Sequence, residues 1–190
     1  NTPASYGILP MILGSIYVTI GAIILGVPIG VLTATYLAKF SNKKLYRFLK
    51  PSINLMAGIP SIIYGFFALT VIVPIVRNLI GGTGMNIITA SILLGIIILP
   101  TIISLSEASI KAVPKSYYEG SIALGASHER TLLSVILPAA KSGILSSIIL
   151  GIGRAIGETM AVILVAGNQA RMPAGLTKGV RTLTTNIEIE

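Results

Sequence analysis

VPKSYYEGSIALGASHERTLLSVILP, residues 113–138, is the longest polar interruption in an otherwise apolar chain. It carries Lys115, His128 and Arg130 together with Glu119 and Glu129, and long hydrophobic runs flank it on both sides. Val113-Pro114-Lys115-Ser116 reads as a helix start, because proline in a first turn forfeits no hydrogen bond. Glu119 is placed early in that helix, where a carboxylate favours the dipole. Gly125 stops the helix in the manner of a C-terminal glycine. Ser127 caps a second helix with Arg130 at its third position; Leu132, Leu133, Val135 and Ile136 follow, and Pro138 closes it. The prediction is helix, glycine turn, helix: a soluble island between membrane segments, suited to docking.

The flanking composition sets the class. Of 190 residues, 53% are hydrophobic and 11% charged, against about 25% charged in an ordinary soluble domain. Such a chain cannot cover a globular surface with polar groups, and its runs are continuous rather than alternating as a membrane barrel requires. The fold class is therefore all-α, a polytopic transmembrane helical bundle. There is no Cys and no Asp, and His128 is the one histidine. These absences exclude disulfides, thiolate metal sites, cysteine nucleophiles and a Ser-His-Asp triad. No phosphate-cradling GxxxxGK[ST] occurs, so the chain itself holds no nucleotide. No catalytic, cofactor-binding or metal-ligating set is expected. The net charge of +8 is read as a topology signal rather than a nucleic-acid footprint.

Four spans are expected, at about 11–38, 52–76, 86–106 and 142–167, with a cytoplasmic loop at 107–141. Lys39, Lys43, Lys44, Arg47 and Lys50 form the densest positive cluster, which the positive-inside rule places in the cytoplasm; such a cluster can also attract anionic lipid. Alternation then puts 77–85 and 168–190 outside and 107–141 inside. The remaining charges agree: Lys111, Lys115, Arg130 and Lys141 fall inside, Arg77, Arg171, Lys178 and Arg181 outside. Gly26-x-x-x-Gly30 offers a close-packing face. Pro60 beside Gly58 predicts a kink or local unwinding in the second span, which directs Asn54, Ser61 and Tyr64 toward the protein interior, since irregular backbone at membrane depth needs protein or water beside it. Both termini read as interior points of a longer protein.

The island resembles the cytoplasmic loop of the membrane subunits of binding-protein-dependent ABC importers, whose pattern is EAA, three residues, Gly, nine residues, I-x-LP. Here Glu119-Gly120-Ser121, Gly125 and Val135-x-Leu137-Pro138 keep the spacing, with Gly120, Ser121 and Val135 departing from the consensus letters. The resemblance implies that the first short helix docks into a cleft of an ATPase subunit and transmits its nucleotide-driven motion. Glu119, Gly120, Ser121, Gly125, Leu137 and Pro138 are the coupling residues it implies.

Within the last span, Arg154 and Glu158 lie near mid-membrane. An ionisable group there costs roughly 2.5–3.5 kcal/mol and marks a functional site by default. Four residues apart on one helical face, they form either a structural pair or a pathway device: Arg154 offers a planar fork to an oxyanion and Glu158 holds the fork and prevents over-tight binding. Gly153 and Gly157 leave room for another helix. Charge alone leaves both readings open.

Gly153-Arg-Ala-Ile-Gly-Glu-Thr-Met-Ala161, Gly58-Ile-Pro-Ser-Ile-Ile-Tyr-Gly65, Leu99-Pro-Thr-Ile and Arg181-Thr-Leu-Thr together resemble the permease subunits of the phosphate-specific (Pst) ABC importer, with Glu-Thr-Met-Ala favouring the C-type subunit. The resemblance covers nearly the whole chain. It implies a six-span permease of which spans two to five are present, in a bacterial or archaeal plasma membrane. The implied partners are a second permease subunit in a heterodimer, two ATPase subunits, an extracytoplasmic phosphate-binding protein docking near 77–84 and 168–190, phosphate itself and the lipid bilayer; nucleic acid is not among them. Arg154 and Glu158 match the positions regarded in that family as important for transport. Rival readings are a permease for sulfate or molybdate, an intramembrane enzyme, and a passive channel.

Overall fold

A computed structural model of the chain describes residues 8–167 and 179–189. Its described residues fold into helices α1 (Leu9–Lys39), α2 (Lys43–Gly58), α3 (Ser61–Ile80), α4 (Ile87–Ala112), α5 (Lys115–Ala123), α6 (His128–Ala139), α7 (Lys141–Gly157), α8 (Met160–Val165) and α9 (Leu183–Ile189). Extended pairing among them is limited to an isolated bridge between Gly167 and Val180. α1, α3 and α4 are each long and apolar enough to cross a membrane, and α6 with α7 makes a fourth candidate bent by 67° at its break. The fold is an all-α bundle of membrane-spanning helices.

The helix ends differ instructively from the expected intervals. α4 runs on past 106 to Ala112, so Glu107 and Lys111 ride on a helix rather than in a loop. The interval 52–76 is divided: α2 ends at Gly58 and Pro60, extended at φ −57° and ψ 138°, opens α3 at Ser61. The proline ring fixes φ, and a proline just before a helix forfeits no helical bond because the N–H it lacks would have had no helical partner. The interval 142–167 is likewise divided, at Glu158-Thr159 between α7 and α8. Arg171, Lys178 and most of the 168–190 segment, expected on the outer side, lie outside the described residues.

Among the described residues two helices contain a wide π turn, each ending two residues before a proline. In α3 it spans Ala68–Ile72 before Pro74; in α6 it spans Leu132–Ile136 before Pro138. A proline inside a helix clashes with the carbonyl four residues back, here Thr70 and Ser134. The residue preceding each proline instead bonds five residues back, Val73 N–H to Ala68 O and Leu137 N–H to Leu132 O. The widened turn makes room for the ring without ending the helix.

The chain divides into two compact units: residues 1–27, 58–98 and 152–190, and residues 28–57 and 99–151. In the first, the seam between α1 and α4 rests on small residues. A side chain added at Gly26 would lie 2.8 Å from Ile98 Cδ1, and Gly21 sits directly on Ser91. Ser91 Oγ donates to Val18 O at 3.2 Å, tying the helices. Between membrane helices, where no hydrophobic force acts, such close approach is what holds a pair together. α8 packs on α3 by the same means: a side chain added at Gly65 would lie 2.9 Å from Ala161 Cα. Replacing Gly26 by Leu is expected to cost about 1–3 kcal/mol through overpacking, read as a lowered melting temperature of the detergent-purified protein; an unchanged melt would show that the seam gives way.

In the second unit two apolar clusters form. Ala34, Leu37, Ile53 and Ile103 make one; Ile110, Leu132, Ile136 and Ala140 make the other, with Val113, Tyr118 and Leu137 at its edge. The second cluster fixes both helices of the island to the end of α4. Elsewhere apolar faces stay open: Ile24 and Leu32 on α1, Phe66 and Phe67 on α3. Surfaces of this kind suit lipid or other membrane helices.

Candidate functional site

The island is built as its local chemistry dictates. α5 begins at Lys115 behind Pro114. It ends in a Schellman arrangement: Gly125 is left-handed at φ 83°, its N–H bonds Ile122 O at 2.9 Å and the Ala126 N–H bonds Ser121 O at 3.2 Å. Ser127 Oγ then accepts the Arg130 N–H at 3.3 Å and caps α6. α6 passes through Pro138 and ends one residue later at Ala139, by virtue of the π turn. Glu119 is the fifth residue of α5, and no acid lies in that helix's first turn; its expected service to the helix dipole is not realised, because Pro114 moves the start only to Lys115.

The coupling residues separate by exposure. Glu119, Gly120 and Gly125 are exposed, Ser121 and Leu137 are half-buried, and Pro138 is exposed. Ser121 Oγ and Thr131 Oγ1 share a hydrogen bond of 2.9 Å, and Tyr118 Oη and His128 Nδ1 another of 2.9 Å. His128 also meets the Phe40 ring edge-on at 5.0 Å. The two hydrogen bonds fasten α5 to α6 and the ring contact ties α6 to the residue after α1, while Leu124, 91% exposed, Tyr117 and Leu133 stand open on the polar island. Exposed apolar side chains of this kind suit a contact surface.

Beside the island lies a network that the sequence reading passed over. Glu107, 3% exposed, accepts from Lys50 Nζ at 2.7 Å through Oε2, and from Lys111 Nζ at 2.7 Å and Tyr46 Oη at 2.8 Å through Oε1. Lys111 Nζ also sits 3.9 Å from the Tyr46 ring centroid. Two cations and a phenol thus saturate one buried carboxylate and pin α2 to α4. The Glu107–Lys111 spacing of four was visible in the sequence; Tyr46 and Lys50, some sixty residues earlier, carried no local signal. Glu107→Ala is expected to cost about 1–3 kcal/mol by leaving these donors unmet, measurable by thermal unfolding in detergent; an unchanged midpoint would mean water replaces the carboxylate.

In the first unit, Arg154 is half-buried on the last turn of α7, and Tyr64, buried in α3, lies within its electrostatic reach. Ser61, half-buried, opens the same helix. Asn54 belongs to the other unit, where it is exposed on α2. The single helical face expected to carry Arg154 and Glu158 is interrupted, because α7 ends at Gly157. Glu158 Oε1 accepts the Ala161 N–H at 3.3 Å, filling an open donor at the start of α8. Its carbonyl accepts from Thr184 Oγ1 at 3.3 Å. Ser15, Thr19, Thr182 and Thr184 join Glu158 around a cavity of about 10 Å³, the scale of a single water. Gly153 and Gly157 have open space where a side chain would project. Chemically, this end of the unit presents a guanidinium, a tyrosine hydroxyl, a carboxylate and several hydroxyls around a broken helix. Among the described residues no cluster of His or acidic side chains could hold a metal.

Comparison with known proteins assigns the class. Residues 26–187 match the family model of the binding-protein-dependent transport system inner membrane component. A chain of the MetNI methionine ABC transporter in an inward-facing form superposes with a TM-score of 0.72, at 23% identity, over 83% of this chain and 73% of that one. A chain of an amino acid ABC transporter superposes with a TM-score of 0.62 over 95% of this chain and 76% of that one. The chain belongs to the binding-protein-dependent transport inner membrane components and has the fold of an ABC transporter permease. In sequence it is similar to the PstC phosphate transport permeases: that of Xylella fastidiosa is 34% identical over 92% of this chain and 60% of its own length. A probable ABC transporter permease of Bacillus subtilis, YqgH, is 40% identical over all of this chain and 62% of its own length. The chain therefore spans about three fifths of these relatives.

Proposed function

We propose that the chain is a membrane permease subunit of an ATP-driven phosphate importer. It forms part of the translocation pathway with a second permease subunit and takes its drive from two ATPase subunits through residues 113–138. An extracytoplasmic phosphate-binding protein delivers the substrate, and the whole works in a bacterial or archaeal plasma membrane. The observation that carries this reading is the likeness to PstC along nine-tenths of the chain.

Contacts along the island and α7 support this reading. α5 presents Glu119, Gly120 and Leu124 outward for a cleft on the ATPase. Its motion passes to α6 through Ser121–Thr131 and Tyr118–His128, and to α7 by direct continuity at Ala140. At the far end of α7, Arg154 offers phosphate two parallel N–H donors, a geometry that recognises an oxyanion. Tyr64 and Ser61, in the same unit, add hydroxyl donors. Glu158, holding the start of α8, supplies the negative charge that keeps the anion's stay short. The chain performs no covalent chemistry of its own.

Uptake of radiolabelled phosphate, sulfate and molybdate by cells carrying the complete transporter tests the substrate. Phosphate uptake that the other two anions do not compete with is the expected result. Uptake of sulfate or molybdate in its place would replace phosphate in this reading while leaving the permease role intact. ATP-independent flux would instead make the chain a channel.

A further inference from the structure

We propose that the start of α2 and the end of α4 frame a binding site for a phosphate-bearing anion, separate from the Arg154 pathway. Lys43, Tyr46, Arg47, Lys50 and Pro51 recur at helical spacing along α2 and line one groove of about 570 Å³ with Lys111. Four cations therefore converge on one concavity. Glu107, beneath it, answers for one of those charges and directly engages Lys50 and Lys111. Lys43 and Arg47, both exposed, carry two of the three charges left over. A concave surface lined by one sign of charge concentrates counter-ions, and like charges kept this close are stabilised by an anion that joins them.

The chemistry of that anion follows from the donors. Arg47 carries a planar fork and each lysine three rotatable donors, so the groove suits a group with several acceptor oxygens in a tetrahedral array. A phosphoryl group has that form, and Arg and Lys together are its usual partners. The position narrows the source. The groove lies where α1, an apolar helix of 31 residues, gives way to α2. Phe48 and Leu55 of α2 are each 72% exposed. A helix with basic and bare apolar sides beside a span end is built for the membrane interface, where phospholipid phosphates lie. The phosphate of an anionic lipid headgroup is the first source; free orthophosphate on the same face is the second.

The test uses the full-length permease in nanodiscs of phosphatidylcholine, with and without phosphatidylglycerol. Native mass spectrometry reads retained phosphatidylglycerol, and phosphorus NMR line broadening reads bound inorganic phosphate. Wild type is expected to enrich phosphatidylglycerol several-fold over the bulk lipid. Lys43→Gln with Arg47→Gln is expected to bring it to parity, whereas Lys39→Gln with Lys44→Gln, which removes equal charge off the groove, leaves it high. Glu107→Gln raises the groove's positive charge and is expected to increase retention. If lipid is not enriched but phosphate binding is lost in the groove variant alone, the site stands with orthophosphate as its ligand. No enrichment of either, or equal loss in both double variants, overturns the proposal. A monodisperse elution profile for each variant shows that lost binding is not lost folding.

Discussion

Arg154→Gln is expected to lower phosphate uptake by at least about 100-fold while leaving the permease in the membrane and bound to its ATPase. Each hydrogen bond between an ionised donor and an anion is worth about 1.5–3 kcal/mol. A fork supplies two, and each 1.4 kcal/mol is a factor of ten. Glutamine ends two atoms short of the fork, keeps a single amide donor group and none of the charge, so most of that contribution disappears. The position itself tolerates the change, because Arg154 is half-buried and Gly153 beside it has open space. Arg154→Lys, which keeps the charge and loses the fork, is expected to fall between. Transport at the wild-type rate in the glutamine variant would remove Arg154 from the pathway and leave it a structural cation beside Tyr64.

Gly125→Val is expected to abolish transport by a different route, with the substrate path untouched. Gly125 holds φ 83°, where a β-branched residue pays about 1–3 kcal/mol in strain. Releasing the strain undoes the bonds from Gly125 N–H to Ile122 O and from Ala126 N–H to Ser121 O, and α5 loses its fixed angle to α6. The measurable result is loss of uptake together with loss of ATPase retention on the purified permease. Gly125→Asn, which tolerates the left-handed region far better, is expected to keep most activity. If the valine variant still captured the ATPase and transported normally, the island would be a connector rather than a drive element.

The island was legible because every signal in it is local. Pro114, Gly125 and Ser127 each act on backbone within five residues, and the structure places the helix ends where those residues put them. Membrane helices were legible from composition, since α1 and α4 need only length and apolarity. Legibility failed where position along a helix depended on distant partners. The basic cluster at 39–50 reads as a topology signal, yet Lys43, Arg47 and Lys50 keep helical spacing on α2; charge density masks the periodicity. The Glu107 network joins residues 46 and 50 to 107 and 111, a tertiary pairing no window contains. The break at Glu158 needed the side chain to turn back onto Ala161 N–H, a choice that the i, i+4 spacing of Arg154 and Glu158 on one ideal helix does not reveal. Of the candidate pathway residues, Ser61, Tyr64, Arg154 and Glu158 share one unit and Asn54 falls in the other, a division that a linear reading cannot make.

The widened turns before Pro74 and Pro138 have a consequence for how these helices are to be probed. Each adds a residue to one revolution, so the angular phase on its two sides no longer follows a single 3.6-residue repeat. A stepwise cysteine-accessibility scan along α3 would show reactive positions in one phase from Ser61 to Phe67 and slip by about one residue, roughly 100° of rotation, beyond Ile72. A face drawn on an ideal helical wheel from Ser61 and Tyr64 would therefore point to the wrong side chains by the time it reached Arg77.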